Sequence, residues 1–170
     1  MAEFVPVRTA ARVLVLDPAG RVLLFGARLV DLDTPPGPVL YWYTPGGQVE
    51  TGEALRQAAV RELAEETGLA AHPDQMVGPI WRRDAMIDFN GSVMRSREFF
   101  FVHRTHRFEP SPEGRTALER RYIHGHRWCD AAQIAALNAA GETVYPLQLG
   151  ELLASANGTL DATGEPRAIH

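Results

Sequence analysis

One stretch constrains the fold of this chain more than any other: PGGQVETGEALRQAAVRELAEETGLA, residues 45–70. Its Pro-Gly-Gly start and the polar residues that follow predict a loop. Good helix formers then predict a helix over Leu55–Thr67, with Thr51 or Gly52 as its starting signal and Gly68 as a left-handed C-terminal cap. Within that helix, apolar or small residues form one packing stripe: Leu55, Ala59 and Leu63.

The same helix carries three glutamates on one side: Glu62, Glu65 and Glu66. At about 100° per residue, these positions fall within an arc of about 100°. Carboxylates so close repel one another, and like charges at this spacing destabilise a helix. An acidic face turned to solvent is one interpretation. The other is that a hard divalent cation offsets the repulsion, since Mg²⁺ prefers oxygen ligands and keeps water or phosphate in its remaining positions.

The loop before the helix supplies further candidates for the same site. Gly46 and Gly47 let the backbone approach closely, so that a carbonyl oxygen is able to join a metal shell. Glu53 and Arg61 form a second pair, because an arginine fork holds one carboxylate through two parallel hydrogen bonds. Such a pair ties the loop to the helix and orients the acidic face.

These residues resemble the box of the Nudix hydrolase family, which sets glycine, glutamate and arginine positions at fixed spacing. The matching positions are Gly47, Glu53, Arg61, Glu62, Leu63, Glu65, Glu66, Gly68 and Leu69. The order of strands and helices around the box is similar to that of the family over most of the chain. The resemblance implies an α/β fold, the Nudix-type α/β/α sandwich with a mixed β-sheet between helices.

The resemblance also implies a reaction. Nudix enzymes hydrolyse a diphosphate bond in a nucleoside diphosphate linked to another moiety, through attack of water on phosphorus. They use Mg²⁺ and sometimes Mn²⁺, and such metals neutralise phosphate charge and lower the pKa of a bound water. By the same resemblance, the catalytic metal ligands are Glu62, Glu65, Glu66 and the Gly46 carbonyl, and the orienting shell is Glu53 and Arg61.

The general base stays open, because some family members take it from a glutamate beyond the box. The candidates are Glu98, Glu113 and Glu119, and a box glutamate is the alternative. We prefer Glu119, since a segment that follows the predicted hairpin is able to fold over the metal. For each candidate, an exposed surface acid is the competing interpretation.

The expected substrate is a small nucleotide of the diphosphate type, whose identity the sequence leaves open. Tyr41, Trp42 and Tyr43 stand before the box, where an aromatic face is able to stack on a nucleobase; core packing is the alternative. Family subgroups for ADP-ribose and dinucleoside polyphosphates often carry a marker Pro or Tyr about fifteen positions past the box. Neither marker is present near residues 83–85. Arginines that either meet phosphates or pair across a hairpin are Arg82, Arg83, Arg95 and Arg97.

Turn signals divide the rest of the chain. Asp17-Pro-Ala-Gly20 predicts a turn between two strands rich in Val and Leu, and Asn90-Gly91 predicts a hairpin. Further predicted elements are loops over residues 29–39 and 104–120, strands over residues 39–44 and 121–129, a helix capped by Asp130 and Gln133, and a last helix over residues 147–156. We expect one domain over residues 1–156 and a loosely held polar tail over residues 157–170.

The net charge and the cysteine content limit which cellular compartment and which binding partners are expected. A net charge of −4 argues against binding nucleic acid through a phosphate-neutralising surface. The one cysteine, Cys129, excludes an internal disulfide and fits a reducing compartment. No apolar run is long enough for a bilayer, and no signal-peptide pattern is seen. We therefore expect a cytoplasmic protein without a membrane or specific nucleic-acid partner, with a homodimer as one allowed assembly.

Two other functions stay open beside the hydrolase. A Nudix-like domain without turnover serves as a nucleotide-binding sensor or regulator, because fold does not imply function. The fold also supports allylic diphosphate isomerisation, which uses an additional cysteine and glutamate. Cys129 is expected in the core, so the isomerase ranks below the hydrolase.

Overall fold

The computed structural model describes residues 5–28, 41–89, 92–162 and 164–170, except for the side chains of residues 87–89 and 92. The strands are β1 (Val7–Leu16), β2 (Val22–Ala27), β3 (Tyr41–Tyr43), β4 (Gly46–Gln48), β5 (Val77–Phe89), β6 (Ser92–Arg104), β7 (Ile123–Cys129), β8 (Thr143–Tyr145) and β9 (Arg167–Ile169). The helices are α1 (Leu55–Thr67), α2 (Ala117–Tyr122), α3 (Ala131–Ala139) and α4 (Leu149–Gly158), with a 3₁₀ turn at Pro73–Gln75.

The described strands form one nine-stranded mixed sheet in the order β8-β3-β2-β1-β6-β5-β9, with β4 paired to β1 and β7 paired to β2. The pairs β1 with β6, β3 with β8 and β5 with β9 are parallel. The predicted hairpin pairs β5 with β6 in antiparallel register. Since α1 packs on one face of this sheet and α3 and α4 pack on the other, the predicted sandwich is confirmed.

The two faces of the sheet carry two separate apolar cores, because successive strand residues point to opposite faces. On one face, Ala59 and Leu63 of α1 pack in the same cluster as Val13 of β1. On the other face, Leu153 of α4 packs in the cluster of Leu14, which follows Val13 in the strand. Full burial of one leucine stabilises the fold by roughly 1.5–3 kcal/mol, so these contacts hold the helices in place.

Strand β1 changes its partner along its length. It meets β2 at Leu16 and Val22, and nearer its start it meets β4 through Ala10–Arg12. The approach of β4 requires Gly46, whose φ is 144° and where a Cβ would lie 2.2 Å from the Ala11 carbonyl oxygen. This exchange of partners brings the loop of the box, rather than β2, against the first half of β1.

Helix α1 spans the predicted residues Leu55–Thr67 and ends at Gly68, which has a φ of 78°. Its start differs from the prediction, which placed the starting signal at Thr51 or Gly52. The N-cap is Ala54, whose N–H donates to the side-chain oxygen of Gln57 at 3.0 Å. The capping side chain, Gln57, therefore lies within the helix itself. The polar residues before the helix suggest an earlier start, and for this reason the sequence did not predict this cap.

Short elements occur where the sequence predicts loop or tail. Strand β4 lies within the predicted loop of the box, and α2 lies within the predicted loop over residues 104–120. Part of the predicted polar tail forms β9, in which Ile169 is buried and pairs in register with Arg83. The two strands are set by their pairing partners, β1 and β5, rather than by local periodicity. The extent of the domain stays a prediction.

Two predictions fall on residues outside the described part of the chain: the Asn90-Gly91 turn and the loop over residues 29–39. Among the described residues, no helix combines the length and the apolar character needed to cross a membrane.

Candidate active site

Three carboxylates converge beside helix α1. Glu62, Glu66 and Glu119 each offer an oxygen, and these oxygens lie within 4.8 Å of one another. Glu62 is 9% exposed and Glu66 is 2% exposed, whereas the side chain of Glu65 is 41% exposed. Among the described residues, the convergent cluster therefore contains two of the three predicted helix glutamates and the preferred candidate for the general base. Glu65 lies beside the cluster rather than within it.

The side chain of Glu119 is held in place by the N-terminal cap of its own short helix, α2. Its Oε1 accepts a hydrogen bond from the Thr116 backbone N–H at 2.9 Å, and its own N–H donates to Thr116 Oγ1 at 3.1 Å. This reciprocal capping box fixes the first turn of α2. Thr116 thus orients the Glu119 carboxylate as well as the helix.

The segment before α2 is attached to the end of α1. The Ser111 N–H donates to the Thr67 carbonyl at 2.8 Å, and Arg115 Nε donates to the Glu66 carbonyl at 2.9 Å. Gly114 lies so close that a Cβ there would stand 2.8 Å from the Glu65 carbonyl oxygen. These contacts place Glu119 over the acidic side of α1.

The electrostatics of the cluster favour an incoming cation. Burial raises the pKa of Glu62, against the opposing effect of Arg61. Burial also raises the pKa of Glu66 well above its ordinary value, although the charge of Arg12 opposes the shift. The buried Oε2 of Glu66 has no hydrogen-bond partner among the described residues. An unpaired buried oxygen beside other carboxylates fits a hard divalent cation, because Mg²⁺ and Mn²⁺ prefer oxygen donors.

Arg61 forms the predicted fork with Glu53. Its Nε lies 2.8 Å from Glu53 Oε2 and its Nη2 lies 2.9 Å from Glu53 Oε1. The hydrogen bonds from Arg61 are the main reason that the pKa of Glu53 is lowered. The same guanidinium reaches the acidic face, where Nη1 donates to Glu62 at 3.0 Å and approaches Glu65 at 3.3 Å. A further bond to the Gln48 carbonyl, at 2.9 Å, ties the loop to the helix.

The two glycines of the loop act through close contacts. A Cβ at Gly47 would lie 2.6 Å from the Glu62 carboxylate, so only glycine leaves room for that side chain. The Gly46 carbonyl, a predicted metal ligand, accepts a hydrogen bond from Arg12 Nη1 at 3.0 Å. A cavity of about 440 Å³ opens beside this loop, lined by Gln48, Val49, Glu50, Thr51, Arg61 and Glu62.

The aromatic candidates of β3 lie on opposite faces of the sheet. Trp42 is 5% exposed and lies in the core, where its Nε1 donates to Glu142 at 3.3 Å. Tyr43 is half-buried on the face of α1, and its buried hydroxyl has no hydrogen-bond partner among the described residues. Tyr41, the third aromatic candidate, is the most exposed aromatic of the strand, at 37%.

The other candidates for the general base lie elsewhere. Glu98 is buried in an ion pair with Arg12 and Arg83, where it belongs to the sheet rather than to the cluster. Glu113 is exposed and its carbonyl accepts a hydrogen bond from Arg120. Neither is among the convergent carboxylates of the described residues, which favours Glu119.

Arg12 is the residue that sequence reasoning missed. The available signal is an arginine inside the otherwise apolar strand ARVLVL. A buried arginine requires a partner, and that partner, Glu98, stands 86 residues further along the chain.

Comparisons with known proteins agree with the geometry. The pattern of the NUDIX domain matches residues 6–148. The chain is 34% identical over 92 residues to the RNA pyrophosphohydrolase of Novosphingobium aromaticivorans, covering 45% of this chain and 53% of that protein. It is 36% identical over 87 residues to the putative 8-oxo-dGTP diphosphatase of Bacillus subtilis, covering 49% of this chain and 52% of that protein. The chain thus spans about half the length of these curated relatives.

Solved structures show the same fold. The MutT protein from Methanosarcina mazei Go1 superimposes with a TM-score of 0.61 at 20% identity, over 93% of this chain and 100% of that one. A likeness at this level of identity shows the fold alone. Because the domain pattern covers most of the chain and the box is complete, the chain belongs to the NUDIX domain family of Nudix hydrolases.

Proposed function

We propose that this protein hydrolyses a diphosphate bond in a nucleotide-linked substrate, with Mg²⁺ or Mn²⁺ held by the carboxylates on α1. The observation that carries the proposal is the convergence of Glu62, Glu66 and Glu119, which each offer an oxygen within 4.8 Å of the others; in addition, the buried Oε2 of Glu66 has no hydrogen-bond partner among the described residues. Buried like charges are costly alone, and a divalent cation stabilises them.

The proposed metal ligands come from helix α1 and from the box loop before it. Glu62 and Glu66 hold the cation, and Glu65, one residue before Glu66 and in contact with Arg61, joins them from the solvent side. The Gly46 carbonyl stays a proposed ligand, since its bond to Arg12 leaves a second lone pair. When bound, the cation supplies charge neutralisation at phosphate and a lower pKa for water.

Glu119 is the proposed general base. It takes a proton from the attacking water as the water oxygen bonds to phosphorus. The P–O bond to the leaving phosphate then breaks, and that phosphate carries away the bonding electrons. Arg61 keeps Glu62 and Glu53 in place through its fork, so its role is positioning.

The relatives support the substrate class without naming the substrate. One is named an RNA pyrophosphohydrolase and another a putative 8-oxo-dGTP diphosphatase. The test panel therefore includes nucleoside triphosphates, oxidised ones, nucleotide sugars, dinucleoside polyphosphates and a 5′-triphosphorylated RNA. The RNA also tests the expected lack of a nucleic-acid partner. The cytoplasmic location and the homodimer stay predictions.

The first experiment measures phosphate release from this panel with Mg²⁺ and with Mn²⁺, in the parent protein and in Glu66→Gln. We expect metal-dependent turnover that falls at least about 100-fold in the variant, since a metal ligand is removed from a preorganised site. Glu165→Gln, at an exposed position, is the matched control and keeps the parent rate. Equal rates in Glu66→Gln and the parent contradict the metal assignment.

A second readout does not depend on turnover. We expect Mg²⁺ to raise the melting temperature of the parent, because an ion that binds only the folded state stabilises it. The shift is expected to vanish in Glu66→Gln and to shrink in Glu65→Gln. If the parent protein binds a nucleotide tightly but turns over no substrate, the result supports the alternative function, a nucleotide-binding sensor. Cys129 is buried as predicted, and its position gives the isomerase no support.

A further inference from the structure

Six side chains from five strands form a closed circuit of contacts beside the proposed metal site. We call them the recognition ring: Arg12, Tyr43, Tyr41, Tyr145, Arg83 and Glu98. At one end of the circuit, Arg12 and Arg83 each bind a different oxygen of Glu98, with Arg12 Nε at 2.7 Å. Glu98 is 4% exposed, so these bonds are made away from bulk water.

Aromatic contacts complete the circuit. The Arg12 guanidinium lies 5.9 Å from the centre of the Tyr43 ring, and that of Arg83 lies 5.3 Å from the Tyr145 ring. Tyr41 joins the two sides, with its ring centre 5.8 Å from Tyr43 and 5.9 Å from Tyr145. The edge-on contact with Tyr145, at 74°, holds the half-exposed Tyr41 ring against its neighbours.

The recognition ring adjoins the carboxylate cluster. Arg12 Nη1 donates to the Gly46 carbonyl at 3.0 Å, at the start of the box loop. Burial raises the pKa of Tyr43, and the nearby charge of Glu66 raises it further. The same charge, after that of Glu98, helps to raise the pKa of Arg12 against the effect of burial. The hydrogen bond of Arg12 therefore connects the ring to the box loop that precedes α1.

The charges of the recognition ring favour an anion. Two guanidinium groups share one carboxylate, and the side chains of Arg12 and Arg83 are only 16% and 15% exposed. The surplus positive charge at the two arginines is left for another anion, and guanidinium groups match phosphate oxygens in geometry.

We infer that the recognition ring is the nucleoside subsite of the substrate. The base packs on the exposed ring of Tyr41, and the phosphate next to the nucleoside lies against Arg12 and Arg83. The scissile diphosphate extends from there to the carboxylates, so this inference rests on the proposed function for the position of the reacting bond. Aromatic stacking of this kind tolerates different bases, since every base presents a π face.

The test measures binding by calorimetry, with Mg²⁺, of two probes that cannot be hydrolysed. One is the bis-methylene analogue of ATP or of GTP, and the other is bis-methylene triphosphate without a nucleoside. Tyr41→Ala is expected to weaken the nucleotide analogues about tenfold and to leave the bare triphosphate unchanged. Tyr41→Phe keeps the ring and the parent affinity.

Arg83→Gln is expected to weaken both probes about tenfold, since phosphate contact is lost in each case. Its matched control is Arg82→Gln, on the same strand but with the side chain on the opposite face, which binds both probes like the parent. Because Arg83 also pairs with Glu98, Arg83→Lys is measured as well; it keeps the charge and retains part of the affinity. Circular dichroism of each variant verifies folding.

The outcomes separate the subsite from the hydrolase. Selective loss of the nucleotide analogues in Tyr41→Ala supports the subsite even in a protein that turns over no substrate. Parent-like nucleotide binding in Tyr41→Ala overturns the subsite, even where metal-dependent hydrolysis is found. An equal loss of both probes in that variant also overturns it, as does a parent protein that binds neither nucleotide analogue.

Discussion

At the scale of single residues, Gly47 is the position of the site with the least room for a side chain. Its missing Cβ leaves the space that the Glu62 carboxylate occupies, at 2.6 Å from where that carbon would stand. We expect Gly47→Ala to displace Glu62 and to lower metal-dependent activity about 10–100-fold, with a higher Mg²⁺ requirement. Gly158→Ala is the control, because a Cβ there meets nothing within 4 Å. A Mg²⁺ titration of the rate decides the matter, and parent kinetics in Gly47→Ala would show that Glu62 has no part in the metal shell.

Arg61 combines a stabilising and a positioning role. Its guanidinium bonds Glu53 twice, the Gln48 carbonyl and Glu62, so its loss leaves partly buried partners without donors. Arg61→Ala is expected to lower the free energy of unfolding by about 2 kcal/mol and the rate about 10–100-fold. Arg61→Lys keeps the charge without the fork and recovers stability better than activity. Denaturant unfolding and steady-state rates are measured side by side; if neither changes in Arg61→Ala, the fork is dispensable.

At the scale of elements, α2 is a six-residue helix with no buried residue, and it contributes Glu119 to the carboxylate cluster. Loss of the N-cap hydroxyl in Thr116→Ala removes the acceptor of the Glu119 backbone N–H, costs about 1 kcal/mol locally and loosens the first turn of α2, which carries Glu119. The melting temperature should hardly move, while kcat falls several-fold and the KM for the nucleotide stays constant. Thr116→Ser keeps the acceptor and the parent rate. A large drop in melting temperature, or an unchanged kcat, would contradict this positioning role.

The elements also show what local sequence is able to predict. Helix α1, its cap at Gly68 and the fork of Glu53 with Arg61 follow from spacing within one segment, and all are present. Strand β4 was missed because three residues with two glycines have no strand periodicity; only pairing with β1 makes them a strand. Helix α2 was missed because its capping signal lies within a polar, proline-containing run. Glu119 was preferred from its place in the chain, whereas the capping box that orients it emerged only from the structure.

At the scale of the whole molecule, the ion pairs of Glu98 join β1, β5 and β6 and make stability depend on pH. Burial alone would raise the pKa of Glu98, but the charges of Arg12 and then Arg83 lower it below its ordinary value. Its contribution is therefore full above the pKa of an unfolded glutamate, near 4.5, and is lost as the pH falls through the lower folded pKa.

Glu98→Gln tests this contribution. We expect a loss of about 3 kcal/mol at pH 7, because two buried cations lose their partner. The difference from the parent should shrink as the pH falls below about 4. Urea unfolding between pH 7 and pH 3 gives both quantities, with the exposed Glu165→Gln as control. A difference that stays constant over this range would mean that the carboxylate is not ionised in the folded protein.

The sequence could not predict the recognition ring, because its contacts depend on how the whole sheet is assembled. Tyr43 and Arg83 were singled out separately, and the contacts that unite them with Arg12 and Tyr145 run between strands far apart in the chain. Composition near the box pointed to Trp42 as well, yet alternation along β3 sends it into the opposite core. Which aromatic of β3 stays exposed is decided by the register of the sheet.

The recognition ring is drawn from five strands, whereas the carboxylates come from one helix and one short turn of another. Evolution is thus able to alter the two parts separately. Within the proposed subsite, a substitution at Tyr41, Tyr145 or Arg83 alters how tightly a nucleotide is held, whereas the carboxylates of α1 and α2 keep their places. Affinity for the substrate is then open to engineering from the sheet, without a change to the helices.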